Sequence, residues 1–142
     1  ARRIAIVSDL DQVLAEADIL SLHAVVTDDT RRMINRETIA RMKDGVLIIN
    51  TARGALIHSD DLAEALRSGK VAGAALDVYD PEPPAPDHSL IGLANVIHTP
   101  HLGASTHEAQ TQVGVEAAEA VRKALLEECY DNVRNCEVLD VR

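Results

Sequence analysis

Three short polar segments contain most of the residues in this sequence that could do chemistry. Arg53 lies in the segment NTARG, Glu82 lies between two prolines in DVYDPEP, and His101 lies in TPHLGAST. A guanidinium can hold a carboxylate through two parallel hydrogen bonds. An imidazole can exchange a proton near neutral pH, and a carboxylate partner would orient it and stabilise its protonated form. Together these residue types favour binding a small organic acid and moving a proton on it.

Each of these residues also has a plainer explanation when it is taken alone. Arg53 could be a surface arginine paired with an acid, and Glu82 and His101 could be solvated loop residues. His98 and His101 have the spacing H-x-x-H, but they lie where a strand passes into a loop, so we expect no metal site. Asp77 could form a turn or accept a hydrogen bond from a ligand amide, and composition does not separate these alternatives.

The elements that must position these residues alternate between strand and helix. The predicted strands are the apolar runs at residues 4–7, 19–22, 46–49, 71–78 and 96–98. The predicted helices begin at the cap residues Asp9, Asn35, Ser59 and Ser105. This alternation predicts right-handed crossovers and a parallel sheet, which is an α/β, Rossmann-like fold. In such sheets ligands bind at the carboxyl ends of the strands, where all three polar segments fall.

Two further details of these elements can be checked against a structure. The run at residues 46–49 is uniformly apolar, which indicates a strand covered on both faces. The last helix should run to about Glu127, with residues 1–127 forming one domain and residues 128–142 a tail. Its expected inner face consists of small and aliphatic residues: Ala109, Val113, Ala117, Ala120, Val121, Ala124 and Leu125.

The composition of the chain excludes several classes of protein. Its 142 residues are 46% hydrophobic, enough to bury a core, and its net charge of −9 argues against a nucleic acid or an anionic membrane as partner. No apolar run is long enough to span a bilayer, and the start has no signal-peptide pattern. The only two cysteines, Cys129 and Cys136, do not form a disulfide framework or a zinc site by themselves. We expect a cytoplasmic protein with reduced thiols.

In these motifs the chain resembles the D-isomer-specific 2-hydroxyacid dehydrogenases. The resemblance runs from about Asp9 to Leu126 and includes a fourth motif, AEADILSLH, which ends at His23. The four motifs occur in the order and at the spacing of that family. The form PHLGAST is most similar to the phosphoglycerate dehydrogenase branch.

The resemblance implies an NAD-dependent oxidoreductase that interconverts a D-2-hydroxy acid, such as 3-phosphoglycerate, and its 2-oxo acid. Arg53 would bind the carboxylate and 2-oxo group of the substrate. His101 would be the acid/base on the C2 oxygen as hydride passes to or from the nicotinamide, and Glu82 would pair with His101. The residues implied at the nicotinamide end of NAD are His23, Ala24, Thr51, Ala52, Arg53, Asp77, His101, Gly103 and Ala104.

The chain departs from the family pattern in three places. Val25 stands where the family has a proline, and His58 replaces a common acidic residue. The G-x-G-x-x-G loop and the acid that ends the second Rossmann strand are not in the sequence. We therefore expect a partial dinucleotide-binding domain without its first two strands, and weak NAD binding by the isolated chain, because the pyrophosphate would lack its helix N-terminus.

The missing strands would leave the strand at residues 19–22 at an exposed apolar edge. Such an edge invites pairing with another chain. We therefore expect either a homodimer or association with a missing N-terminal portion. The alternatives to an enzyme are a truncated non-catalytic paralogue that acts as a dimerising or regulatory module, and a dinucleotide-sensing regulator of the corepressor type.

Overall fold

The computed structural model describes residues 4–103, 105–127 and 130. The helices within these residues are α1 (Leu10–Glu16), α2 (Arg36–Arg41), a short 3₁₀ helix (Gly54–Leu56), α3 (Ser59–Ser68) and α4 (His107–Leu126). The strands are β1 (Ile19–Leu22), β2 (Val46–Asn50), β3 (Val71–Leu76) and β4 (Val96–His98). The chain divides into two compact units, residues 1–102 and 103–142.

The first unit is built on a four-stranded parallel sheet. Its strand order is β1-β2-β3-β4, so each strand pairs with the one before it in the chain. Helices lie between β1 and β2 and between β2 and β3, whereas the described residues between β3 and β4 form a loop. The parallel sheet with these helices confirms the predicted α/β, Rossmann-like class. The strand β1 lies at the edge of this sheet, where the sequence placed an exposed edge.

The strand predicted at residues 4–7 is wrong. This segment has no strand structure, and Ile4 and Ile6 are almost fully exposed. A β-branched run becomes a strand only when a neighbouring strand satisfies its backbone groups, and no described strand lies beside it. The strand predicted at residues 71–78 is also shorter than expected, since β3 ends at Leu76.

Helices cover one face of the sheet. Leu20, Ile48 and Leu76 point to this face and are buried with residues from α1, α2 and α3, among them Leu14 and Leu62. The opposite face carries apolar side chains that stay open: Ile19 is 59% exposed, Leu47 42% and Ile97 69%. The prediction that the run at residues 46–49 is covered on both faces is therefore wrong for the described residues.

Two of the three helix caps predicted in the first unit are found at the predicted residues. Asp9 caps α1 through the N–H of Asp11, and the Asn35 side chain accepts from the N–H groups of Glu37 and Thr38 at the start of α2. The prediction that Ser59 caps α3 is wrong by one residue, because His58 takes that position and Ser59 is the first helical residue. The helix ends at Gly69, whose φ of 80° is the left-handed conformation that glycine adopts without a Cβ clash.

In the second unit α4 is described by itself. Its N-cap is Thr106, whose hydroxyl accepts from the N–H of Ala109, so the cap predicted at Ser105 is displaced by one residue. The predicted burial of its apolar stripe is not found, since no residue of α4 is buried and the described part of its unit contains no second element to cover the stripe. None of the described helices is long and apolar enough to cross a membrane.

Candidate active site

The three polar segments follow three neighbouring strands of the sheet. The loop with Arg53 leaves β2, the loop with Glu82 leaves β3, and the loop with His101 leaves β4. Because the strands are parallel, all three loops emerge at the same edge. The sheet therefore places an arginine, a glutamate and a histidine from distant parts of the sequence along one crevice.

Glu82 and His101 form a hydrogen-bonded pair. The His101 Nδ1 atom lies 2.8 Å from one carboxylate oxygen of Glu82. The other oxygen of Glu82 accepts a hydrogen bond from the Tyr79 N–H at 2.7 Å. Both side chains are partly open to solvent, with Glu82 36% and His101 47% exposed. A backbone-anchored carboxylate thus orients an imidazole that a small molecule can reach.

The backbone of His101 has an uncommon conformation. Its φ is 55°, in the left-handed region that histidine enters more often than most residues but that still costs free energy. The turn that follows Pro100 therefore depends on bonds from neighbouring residues, and two of these come from Asp77.

Asp77 fastens the loop that contains His101. Its side chain is buried, and one carboxylate oxygen accepts from the Thr99 hydroxyl at 2.5 Å and from the Leu102 N–H at 2.8 Å. The Asp77 N–H donates to the Asn50 carbonyl at 3.0 Å, which joins the ends of β3 and β2. Asp77 thereby braces the residues on both sides of His101. Its role towards a ligand stays a prediction.

Hydrogen bonding lowers the pKa of Glu82 below its ordinary value of 4.5. The largest cause is the Tyr79 N–H, followed by the hydrogen bond with His101, while the positive charge of Arg53 adds a smaller effect. Each of these favours the carboxylate over the neutral acid. Glu82 is therefore charged at neutral pH and available to stabilise a protonated imidazole.

The titration of Glu82 provides a direct check of this arrangement. Because its pKa is lower in the folded than in the unfolded chain, its bonds stabilise the fold above the unfolded pKa of about 4.5 and are lost as the pH falls through the folded value. We expect the ¹³C carboxyl resonance of Glu82 to titrate at lower pH than in the urea-unfolded chain. In His101→Ala the pKa should rise only partly, because the Tyr79 bond remains. Identical midpoints in the folded and unfolded chains would contradict the pairing.

Asn50 shapes the loop that carries Arg53. Its side chain is fully buried at the end of β2, where it donates to the Arg53 carbonyl at 2.8 Å and accepts from the Ala52 N–H at 3.1 Å. The segment between them is thereby folded back on itself in an Asx-type turn. The position of Arg53 is thus fixed from a buried side chain three residues earlier.

Replacing Asn50 by alanine should lower the free energy of unfolding by about 1–3 kcal/mol, because the partners of a buried amide are left unpaired. Urea unfolding of the two chains measures this difference. Asn95→Ala is the matched control: Asn95 also donates twice, to the carbonyls of Leu66 and Ala72, but it is exposed and water can replace it. Its cost should be about 0.5 kcal/mol. Equal costs at the two positions would show that burial of Asn50 is unimportant.

Arg53 faces a second part of the crevice. Its side chain is exposed, donates to the Ala52 carbonyl at 2.6 Å and lines a cleft of about 540 Å³. The other residues that line this cleft are His23, Ala24, Val25, Val26 and Ala52. The small side chains of Ala24 and Ala52 leave room in this cleft for a flat group beside the backbone.

The remaining residues implied at a cofactor site lie in different places. Thr51 is exposed beside Ala52, and the His23 ring is held by the Ser21 hydroxyl at 2.9 Å. Gly103 is exposed and belongs to the second compact unit, and Ala104 lies outside the described residues. The structure therefore brings His23, Ala24, Ala52 and Arg53 to one cleft and Asp77 and His101 to another.

The cleft beside Glu82 and His101 is mainly apolar and measures about 460 Å³. Its walls include Tyr79, whose hydroxyl is hydrogen-bonded to His98 Nδ1 and whose ring packs edge-on to His88 at 5.6 Å. Burial raises the pKa of Tyr79, and the charge of Asp77 adds to this. No sequence pattern pairs Tyr79 with His98, because the two residues are nineteen positions apart.

Three contributors to the site were missed from the sequence: the Asn50 side chain, the Thr99 hydroxyl and the Tyr79 N–H. Asparagine at the end of an apolar strand, two residues before the N–H it accepts, is a recognisable turn signal that could have identified Asn50. No sequence signal identifies the Tyr79 N–H, since every residue except proline has one.

This fold and site define a class: an α/β domain of the dinucleotide-binding type, with a histidine–glutamate pair and an arginine in loops at one edge of its sheet. Residues 1–103 match a family described as D-isomer specific 2-hydroxyacid dehydrogenase, NAD binding domain. The chain belongs to this family, as its motifs implied. NAD is the cofactor of the matched domain.

Relatives and solved structures agree with this assignment. The chain is 52% identical over 119 residues to a hydroxypyruvate reductase of Thermotoga maritima, covering 82% of this chain and 39% of the relative. It is 47% identical over 132 residues to a D-3-phosphoglycerate dehydrogenase of Methanocaldococcus jannaschii, covering 93% and 25%. A glyoxylate reductase structure from Paecilomyes thermophila superimposes with a TM-score of 0.78 at 40% identity, covering 83% and 36%. The chain thus spans less than two fifths of the length of these proteins.

Proposed function

We propose that this chain provides the acid/base pair and the carboxylate-binding arginine of an NAD-dependent oxidoreductase. The reaction interconverts a D-2-hydroxy acid and its 2-oxo acid, and 3-phosphoglycerate is the first candidate substrate. The observation that carries the proposal is the His101–Glu82 pair, 2.8 Å apart at the same sheet edge as the loop of Arg53. The names of the relatives support the same chemistry.

In this proposal Arg53 orients the substrate by two parallel hydrogen bonds to its carboxylate. His101 takes the proton from the C2 hydroxyl when the hydroxy acid is oxidised and returns it to the C2 oxygen in the reverse direction. Glu82 stays ionised, since its pKa is lowered by the Tyr79 N–H and by His101, and it stabilises the imidazolium that forms.

The residues at the crevice fit one end of NAD. Ala24 and Ala52 leave room for a flat ring beside the backbone in the cleft of about 540 Å³ that Arg53 lines. When bound, NAD accepts hydride from C2 of the hydroxy acid or, in its reduced form, supplies hydride to the oxo acid. This chain's own residues then bind the substrate carboxylate and exchange the proton on the C2 oxygen.

A chimera tests the proposal. The chimera is the Thermotoga maritima hydroxypyruvate reductase with one segment exchanged. Its 119-residue segment that matches this chain is replaced by the corresponding residues of this chain. We expect NADH oxidation with hydroxypyruvate, or NAD reduction with 3-phosphoglycerate, above that of a chimera with His101→Ala. A folded chimera that binds NADH and turns over no 2-hydroxy or 2-oxo acid would contradict the proposal.

A non-catalytic binding module is the second candidate function. It is favoured by the open sheet face with Ile19, Leu47 and Ile97, and by the position of β1 at the sheet edge. Such a module would associate through these surfaces with a second copy or with another chain. Sedimentation of the 142-residue chain as a monomer that unfolds cooperatively would count against it.

A further inference from the structure

We propose that Gly54 is a positioning residue that joins the loop of Arg53 to the loop of Glu82. The inference rests on the proposed function for what the two loops bind, but the contact itself is independent of it. Gly54 packs against the backbone of Tyr79, so the two loops meet through main-chain atoms at this point. Gly54 thereby sets the separation between the arginine and the histidine–glutamate pair.

The space around Gly54 has no room for a side chain. A Cβ atom built on Gly54 would lie 2.5 Å from the Tyr79 Cα and nearer still to the carbonyl carbon and oxygen of Tyr79. All three atoms belong to the backbone, so rotation of a side chain cannot relieve the clash. Even alanine at position 54 must therefore push the Cα and carbonyl group of Tyr79 away.

Other glycines in the chain are used for a different reason. Gly45 and Gly69 have φ values of 81° and 80°, and a Cβ built on either would meet no atom within 4 Å. They serve their turns through conformation. Gly54 is the first residue of the 3₁₀ helix and is not among the glycines of positive φ, so close packing is what demands glycine there.

The contact joins the two halves of the site. On one side Arg53 immediately precedes Gly54, and the Gly54 carbonyl accepts from the Ile57 N–H at 3.0 Å in the 3₁₀ helix. On the other side the Tyr79 N–H donates to Glu82 at 2.7 Å, and Glu82 orients His101 at 2.8 Å. The atoms that a Cβ would displace, the Cα and carbonyl of Tyr79, lie next to the Tyr79 N–H in the chain, so moving them would misalign the N–H that anchors Glu82.

The experiment compares Gly54→Ala with Gly114→Ala in the 142-residue chain. Gly114 lies in α4, and an added Cβ there meets no atom within 4 Å, so this variant controls for adding a methyl group. In Gly54→Ala we expect the Tyr79 amide proton to shift upfield as its hydrogen bond to Glu82 lengthens. The carboxyl pKa of Glu82, held low mainly by that bond, should rise towards 4.5. Gly114→Ala should leave both unchanged.

A folded Gly54→Ala chain with an unchanged Tyr79 amide shift and Glu82 pKa would overturn the proposal. Should that variant not fold, hydrogen exchange in the unmodified chain decides. The amides of Tyr79 and Ile57, on the two sides of the contact, should then open with the same equilibrium constant. If the Tyr79 amide exchanges while the Ile57 amide stays protected, the two loops open independently. That result would overturn the proposal.

Activity gives a separate measurement in the chimera with the Thermotoga maritima relative. Gly54→Ala should lower kcat/KM by about 10²-fold, because small misplacements of reacting groups are costly. Loss of activity in the unsubstituted chimera would count against the proposed function, while the amide shift and the Glu82 pKa would still report on the contact.

Discussion

Replacing His101 by alanine should lower kcat of the chimera by a factor of about 10²–10⁴, the usual contribution of a positioned acid or base. His101 is the imidazole that Glu82 orients at 2.8 Å. In the proposed reaction its removal leaves the C2 oxygen without the imidazole that exchanges its proton. Steady-state kinetics in both directions measure the loss. KM should change less than kcat, since His101 acts on the reacting atom.

Two controls separate this chemistry from general damage. His107→Ala removes an exposed histidine from the start of α4 and should leave kcat unchanged. Imidazole added to the buffer should restore part of the activity of His101→Ala, because a small base can occupy the vacated space. A His101→Ala chimera that retains the kcat of the unsubstituted chimera would show that another group moves the proton.

Replacing Arg53 by alanine should lower kcat/KM by about 10²–10⁴-fold. Two charge-assisted hydrogen bonds of about 1.5–3 kcal/mol each are lost, and each 1.36 kcal/mol corresponds to a factor of about ten. The kcat/KM of Arg53→Lys should lie between those of Arg53→Ala and the unsubstituted chimera. Lysine keeps the positive charge but lacks the planar guanidinium that matches a carboxylate.

The control for Arg53 is Arg41→Ala. Arg41 is an exposed arginine at the end of α2 that pairs with Asp11, and loss of such a surface pair is expected to cost little. Its kcat/KM should equal that of the unsubstituted chimera. An Arg53→Ala chimera with unchanged kcat/KM would remove Arg53 from the substrate site.

Much of the fold could be predicted because periodicity and caps are local signals. Asn35 and Gly69 mark the start of α2 and the end of α3 in the sequence, and the structure uses both. Residues 4–7 show the limit of such signals. Their β-branched pattern equals that of β2, but a strand also needs a neighbour, and no local pattern reveals whether one exists.

The site, like the fold, has parts that could be predicted from the sequence and parts that could not. Glu82 and His101 could be placed together from sequence because parallel neighbouring strands deliver their loops to one edge. The contacts that fix the geometry of Glu82 and His101 could not be predicted from sequence. The Tyr79 N–H and the contact at Gly54 involve backbone groups, which do not depend on residue type in a recognisable way. The left-handed φ of His101 is equally hidden, since histidine adopts this conformation more often than most residues do but still in only a small minority of cases.

The order of the strands in the sheet bears on how this chain is assembled during synthesis. Each strand pairs with the one that precedes it in the chain, from β1 to β4. Since translation delivers residues from the N-terminus, each new strand can dock onto an edge that already exists. The three loops of the site would then be completed in the order of Arg53, Glu82 and His101. His101 would then be the last of the three to reach the site, after the loop that contains Glu82 has formed.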